Sequence, residues 1–339
     1  MPNDLSFTML FLYSVFTLFF LCSLRILAST IAAPSVYTDY LFAYFTGEGS
    51  PDGETISLAI TSHNNISSWT ELHSSKPVLT STVGTRGVRD PSIIRSRDAT
   101  KFWIIATDLK MHGMGKDGWS NSVQTGSKSI VIWESTDLKK WNGPRLVRIS
   151  PETAGNTWAP EAIYDAERGE YMLFWASSLY PKGSQHTRPS YHRILKCYTK
   201  DFIKFSEAEV WIDRSWSVID TTVVFDADTK RWYRFSKDER GNGPNAPNGK
   251  FVFQEWSTTL GGVWREVAAG IGKGVIKQGE GPTVVRSNGV PGKWYMFIDE
   301  FGGKGYVPFE TTNIASGVWK PVPNGKMPKR PRHGSVTGM

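Results

Sequence analysis

The sequence predicts an all-β fold, a five-bladed β-propeller whose fifth blade is closed by strands from both ends of the chain. Three observations predict it. Composition is the first: 339 residues carry 14 Trp, 12 Tyr, 18 Phe and 32 Gly, a mixture that suits packed strands joined by tight turns in a repeated β-unit. The second is a recurring segment, an acid followed by an apolar or β-branched run: Asp90-Pro-Ser-Ile-Ile, Glu161-Ala-Ile-Tyr, Asp220-Thr-Thr-Val-Val and Glu280-Gly-Pro-Thr-Val-Val. Asp90 to Glu161 is 71 residues, Glu161 to Asp220 is 59 and Asp220 to Glu280 is 60, lengths that suit a four-stranded blade. The third is a fifth unit divided between the termini.

Each unit has the same order of parts. About ten residues after the acid comes an aromatic strand: Lys101-Phe-Trp-Ile-Ile-Ala-Thr, Glu170-Tyr-Met-Leu-Phe-Trp-Ala, Arg231-Trp-Tyr-Arg-Phe-Ser and Lys293-Trp-Tyr-Met-Phe-Ile. Polar turns such as Asp226-Ala-Asp-Thr-Lys230 join the two as hairpins. A third strand follows at Ser129–Glu134, His192–Cys197, Phe251–Trp256 and Tyr306–Glu310, then an aromatic anchor at Trp141, Phe205, Trp264 and Trp319. In the divided unit His333-Gly-Ser-Val is the first strand. Tyr40–Thr46 is the aromatic strand, Ile56–Thr61 the third and Trp69 the anchor. A ring closed by its own two ends leaves no long sheet edge exposed.

Ahead of the propeller, Phe7 to Leu21 is an apolar run followed by small residues from Ala28 to Ala33. It reads as a secretory signal over residues 1–33, with an uncleaved anchor as the alternative, leaving 34–339 as one five-bladed β-propeller domain. The expected location is extracellular. The mature chain then keeps one cysteine, Cys197, in an alternating strand, which points to a buried residue and excludes an internal disulfide. Asn65-Ile66-Ser67 is an N-glycosylation triplet. The formal charge is +7, but Lys and Arg are scattered, which argues against nucleic-acid binding. No stable membrane association is expected, and a monomer is. No HExxH, GxSxG or phosphate-loop motif is present.

In a propeller the first strand of each blade lines the central axis. Asp90, Glu161, Asp220, Glu280 and His333 are therefore expected at matching positions round one pocket. Carboxylates crowded there raise one another's pKa, so that one stays protonated as an acid. Inverting glycoside hydrolysis needs such a pair, a base for water and an acid for the leaving oxygen, roughly 6.5–9.5 Å apart. An acid at a strand start is also an ordinary turn residue, and position alone does not divide the roles.

The chain resembles glycoside hydrolase family 43 over residues 37 to 336. The motifs that carry the likeness are Val88-Arg89-Asp90-Pro91-Ser92, Trp158-Ala159-Pro160-Glu161, Val218-Ile219-Asp220-Thr221-Thr222 and Gly279-Glu280-Gly281-Pro282. The resemblance implies that Asp90 is the general base, Glu280 the general acid, and Asp220 the acid that tunes and orients Glu280. It also places substrate-binding candidates. Trp158 is a wall of the sugar subsite or a packing residue. Glu161 bonds substrate, or holds Arg89 or a neighbouring loop. Arg332 binds sugar hydroxyls or neutralises the acids. Trp119, in the Gly-rich loop from His112 to Gln124, shapes the rim. His333 matches a central His that meets an axial metal or a water network, so Ca2+ on the axis is a candidate although no cofactor is required. Gly281 follows Glu280, and no Asn-Asp-Pro-Asn motif is present, unlike the related fructosidases. The expected activity is release of terminal α-L-arabinofuranose from arabinan or arabinoxylan. β-Xylosidase, endo-arabinanase and galactan-active relatives are the alternatives within the family, and a non-catalytic carbohydrate-binding propeller the alternative outside it.

Overall fold

The computed structural model describes residues 37–323 and 326–339, so the expected signal segment lies outside the described residues. Among the described residues twenty strands form five four-stranded antiparallel sheets. The N-terminal strands are β1 (Tyr40–Phe45), β2 (Ser57–Thr61) and β3 (Trp69–Glu71). Blade 1 holds β4 (Val88–Arg95), β5 (Phe102–Asp108), β6 (Ser129–Ser135) and β7 (Asn142–Arg148). Blade 2 holds β8 (Trp158–Asp165), β9 (Glu170–Ser178), β10 (His192–Thr199) and β11 (Glu209–Ile212). Blade 3 holds β12 (Val218–Asp226), β13 (Arg231–Asp238), β14 (Val252–Ser257) and β15 (Arg265–Ile271). Blade 4 holds β16 (Glu280–Arg286), β17 (Trp294–Glu300), β18 (Gly305–Thr311) and β19 (Lys320–Pro321). The last strand, β20 (Arg332–Gly338), pairs with β1, so blade 5 runs β20-β1-β2-β3 and joins both ends of the described chain. The five-bladed propeller and its closure stand as the sequence predicts.

The second strands read as unbroken apolar runs because both faces are buried. Along β5, Trp103 and Ile105 pack toward blade 2, and Ile104 and Ala106 toward blade 5. Along β9, Tyr171, Leu173 and Trp175 face blade 1, whereas Met172, Phe174 and Ala176 face blade 3. The strand's two-residue period thus sends alternate side chains into the two neighbouring interfaces. Five such clusters, one between each pair of blades, hold the ring. Burying one large aliphatic or Phe side chain there contributes about 1.5–3 kcal/mol. The anchors Trp69, Trp141, Phe205, Trp264 and Trp319 each pack against one of these clusters. Cys197 is buried between blades 1 and 2, and burial pushes its thiol up to about 12, which makes it inert.

The inner strands β4, β8, β12, β16 and β20 neighbour one another round the axis. All five carry a bulge at the same register. Three steps along the inner strand face two along its partner, from Arg89 to Ser92, Trp158 to Glu161, Ile219 to Thr222, Glu280 to Thr283 and Arg332 to Ser335. A bulge re-aims the side chains beside it. The residue after the first bulge position is left-handed in four blades, with φ 51° at Asp90, 49° at Ala159, 52° at Asp220 and 53° at Gly281. His333 holds that position in blade 5.

This register corrects the expected alignment of the five site residues. Asp90, Asp220 and His333 are equivalent, but Glu280 stands one position earlier, beside Arg89 and Arg332 in the pattern, and Glu161 two positions later. The acid and the run behind it are separated differently in the four motifs, and matching them by the acid hides the offset.

Candidate active site

The bulge gathers the three equivalent residues. His333 Nδ1 stands 3.5 Å from Asp90 Oδ1 and 3.7 Å from Asp220 Oδ1. Burial alone would lower the His333 pKa, but Asp220, Asp90, Glu161 and Glu280 outweigh it and hold it above its ordinary value. The His333 ring is thus buried between two acids that favour its charged form. Gly281 makes this approach feasible: a Cβ there would lie 2.4 Å from His333 Cγ, and its φ is left-handed as well. Only glycine meets both conditions without strain.

Asp90 Oδ2 accepts a 2.8 Å hydrogen bond from the Thr107 hydroxyl, which itself accepts one from the Ala159 N–H at 2.7 Å. Asp220 Oδ2 accepts the Gly281 N–H at 3.1 Å. Burial pushes the Asp220 carboxyl up to about 7; Glu280 and Asp90 add to the rise, while His333 and Lys237 oppose it. The blade 1 and blade 3 carboxyls therefore share His333 but differ in how each is hydrogen-bonded.

Glu280, in the first bulge position, is clamped by two cations. Lys237 Nζ donates to its Oε2 at 2.8 Å and Arg332 Nη2 to its Oε1 at 3.0 Å. Burial pushes this carboxyl up, yet Lys237 and Arg332 prevail and hold it below its ordinary value. Lys237 also pairs with Glu239 at 2.7 Å and lies 4.1 Å over the Phe301 ring. Arg332 Nε donates at 2.7 Å to Asp299, a wholly buried carboxyl that burial pushes up to about 6. Arg332 thus pairs with both Glu280 and Asp299.

Glu161 lies three residues beyond the first bulge position of its strand. Burial pushes it up to about 8, against a hydrogen bond with Thr222 and the charge of His333. It does not hold Arg89, which pairs instead with Glu48 at 3.0 Å and the buried Glu54 at 3.1 Å. Glu54 also accepts the N–H groups of Met111 and His112, tying down the loop that leads to the short helix α1 (Gly118–Gln124). Trp119 of that helix is 46% exposed, meets Trp158 edge to face at 6.1 Å and lies 5.0 Å under the Arg89 guanidinium. Trp158 stacks on His192 at 5.3 Å. The two Trp rings form one aromatic wall, suited to the C–H faces of a sugar.

Three contributors escaped the sequence reading: Thr107, Lys237 and Asp299. All lie on second strands opposite the first bulge position, paired with Arg89, Ile219 and Glu280. The signal was there. A Lys and an Asp follow directly on the aromatic strands that end at Ser236 and Ile298, and buried charges are rare unless paired.

Calcium takes six to eight oxygen ligands. Among the described residues no three His, Cys, Asp or Glu side chains are grouped to hold a metal, and the His333 ring nitrogen faces the Asp90 and Asp220 carboxyls. The described residues do not fit an axial calcium, and no step below runs through one.

The chain belongs to the family described as "Probable glycosyl hydrolase domain", related to glycoside hydrolase family 43, whose model matches residues 35–339. It is 31% identical over 274 residues to an α-L-arabinofuranosidase of Bifidobacterium longum subsp. longum, covering 74% of this chain and 25% of that protein. The chain thus spans a quarter of the length of this relative. In fold it is similar to an exo-β-1,3-galactanase of Phanerochaete chrysosporium, with TM-score 0.56 and 11% identity over 84% of this chain and 60% of that one. It is similar also to an endo-1,4-β-xylanase of Bacteroides thetaiotaomicron, with TM-score 0.56 and 14% identity over 84% and 90% of the two chains.

Proposed function

We propose that this protein is an inverting, exo-acting glycoside hydrolase that releases terminal α-L-arabinofuranose from plant cell-wall polysaccharide such as arabinan or arabinoxylan. The observation that carries the reading is the axial group itself. Asp90 and Asp220 flank His333, with Glu280 clamped beside them by Lys237 and Arg332. The arabinofuranosidase relative supports the choice of sugar.

In this reading Asp90, oriented by Thr107, takes a proton from water, and the water oxygen attacks the anomeric carbon. The glycosidic C–O bond breaks on the opposite face, and Glu280 gives its proton to the departing oxygen. The clamp means that Glu280 must take up its proton as substrate enters and weakens its contact with a cation. Asp220, held near neutrality, accepts the amide of Gly281, the residue that follows Glu280 in the chain. It limits the negative charge of the site and so favours that uptake. Trp158 and Trp119 receive the sugar face. We further propose that residues 1–33 direct secretion and that the enzyme acts as a monomer without a required cofactor. Among the described residues no helix is long and apolar enough to cross a membrane.

The test is sugar release from arabinoside, xyloside and galactoside substrates by wild type and two variants. Arabinose from wild type is expected. Glu280→Ala should lose about 10²–10⁴-fold on polymer and much less on an aryl arabinoside with a good leaving group, while Asp90→Ala should lose as much on both. Equal activity of Asp90→Ala and wild type would remove the base, and galactose or xylose release alone would reassign the sugar.

A further inference from the structure

A cavity of about 380 Å³ opens between the outer parts of blades 2 and 3, away from the axis. Its floor is Arg234. In β13 Lys237 reaches Glu280, and Arg234, three residues earlier, points to the opposite face of the sheet, toward blade 2. Its guanidinium lies 4.3 Å over Trp264 and 5.1 Å over Trp211, and Nε donates to Glu255 at 2.6 Å. Arg234 is 4% exposed, yet its buried Nη1 has no hydrogen-bond partner. Arg214, on the rim, meets the other oxygen of Glu255.

An unpaired guanidinium donor buried in a cavity wall costs free energy unless a ligand completes it. The charges of the lining choose the ligand. Lys196, Arg214 and Arg234 are balanced by Glu209, Asp213 and Glu255, so no net field favours an anion. Donors and acceptors lie side by side around two Trp rings that meet edge to face at 5.8 Å. A neutral polyhydroxylated molecule satisfies both kinds of polar group and packs on the rings, and the cavity is of ordinary size for such a ligand.

We propose that this cleft is a second saccharide site, non-catalytic, that holds a stretch of polysaccharide while the axial site cuts. The inference rests on the proposed function only for the choice of saccharide to be tested. Two variants probe it. Arg234→Gln removes the unpaired donor. Gly261→Phe fills the cavity from its edge, where an added Cβ meets nothing within 4 Å, so the fold is left alone. Wild type and variants are compared by affinity electrophoresis in arabinan and arabinoxylan, by hydrolysis of a small aryl arabinoside, and by indole N–H shifts of Trp211 and Trp264 titrated with arabino- and xylo-oligosaccharides. The expected result is saturable movement of both indole signals and roughly tenfold weaker retention of both variants, with aryl-arabinoside turnover unchanged. Unchanged retention of Gly261→Phe, indole signals that ignore every oligosaccharide, or signals that answer to inorganic phosphate instead would each overturn the site. An inactive wild type whose indole signals still move would count against the proposed reaction and in favour of the cleft.

Discussion

Lys237 Nζ lies 2.8 Å from Glu280 Oε2, so the carboxyl expected to give a proton is held as an ion by a buried ammonium from the neighbouring blade. Arg332 completes the clamp from the other side. The arrangement separates the roles of two carboxylates that the motif pattern alone treats alike. Asp220 is raised toward neutrality and Glu280 is lowered.

Removing the ammonium should move the pH profile. In Lys237→Met the Glu280 carboxylate loses one of its two cations, and its pKa rises. A general acid works while protonated, so the basic limb of kcat/KM should shift to higher pH by about 1–3 units. A Lys237 that served packing alone would lower the rate at every pH and leave that limb in place.

Stability should fall as pH rises through the acidic and neutral range. Asp220 has a folded pKa of about 7, above the unfolded value of about 3.9. The native state therefore binds more protons than the unfolded state between those values, and its stability declines as they are lost. For Asp220 the decline amounts to roughly 2–4 kcal/mol. Urea unfolding of wild type and Asp220→Asn from pH 4 to 8 checks this. The variant should be the less pH-dependent of the two, and parallel curves would refute the assignment.

Gly281 should be irreplaceable at the site. In Gly281→Ala the new Cβ and the left-handed backbone together push against His333. About 1–3 kcal/mol of stability and most of the activity should be lost. Thermal unfolding with parallel turnover reads both, and a fully active variant would show that His333 need not sit where it does.

The sequence made the ring legible because blade architecture is written as repetition. Aromatic strands recur at fixed distances from polar turns, and the divided fifth unit has its parts at the two termini, where β20 and β1 do pair. Asp90 and Asp220 were legible as a pair for the same reason. The offset of Glu280 and Glu161 was not, because matching the motifs by their acids ignores the bulge register that all five strands share. Lys237 and Asp299 were missed because Lys237 lies 43 residues from Glu280 and Asp299 lies 33 residues from Arg332, and only the packing of adjacent blades brings these partners together.

The central claim is tested most directly by proton NMR of the first-formed sugar during hydrolysis of an aryl α-L-arabinofuranoside. Attack by a water that Asp90 activates, opposite the oxygen that Glu280 protonates, predicts β-L-arabinofuranose first, with the α form appearing only by mutarotation. The α anomer as first product would mean a covalent intermediate, and would contradict the base and acid assigned here.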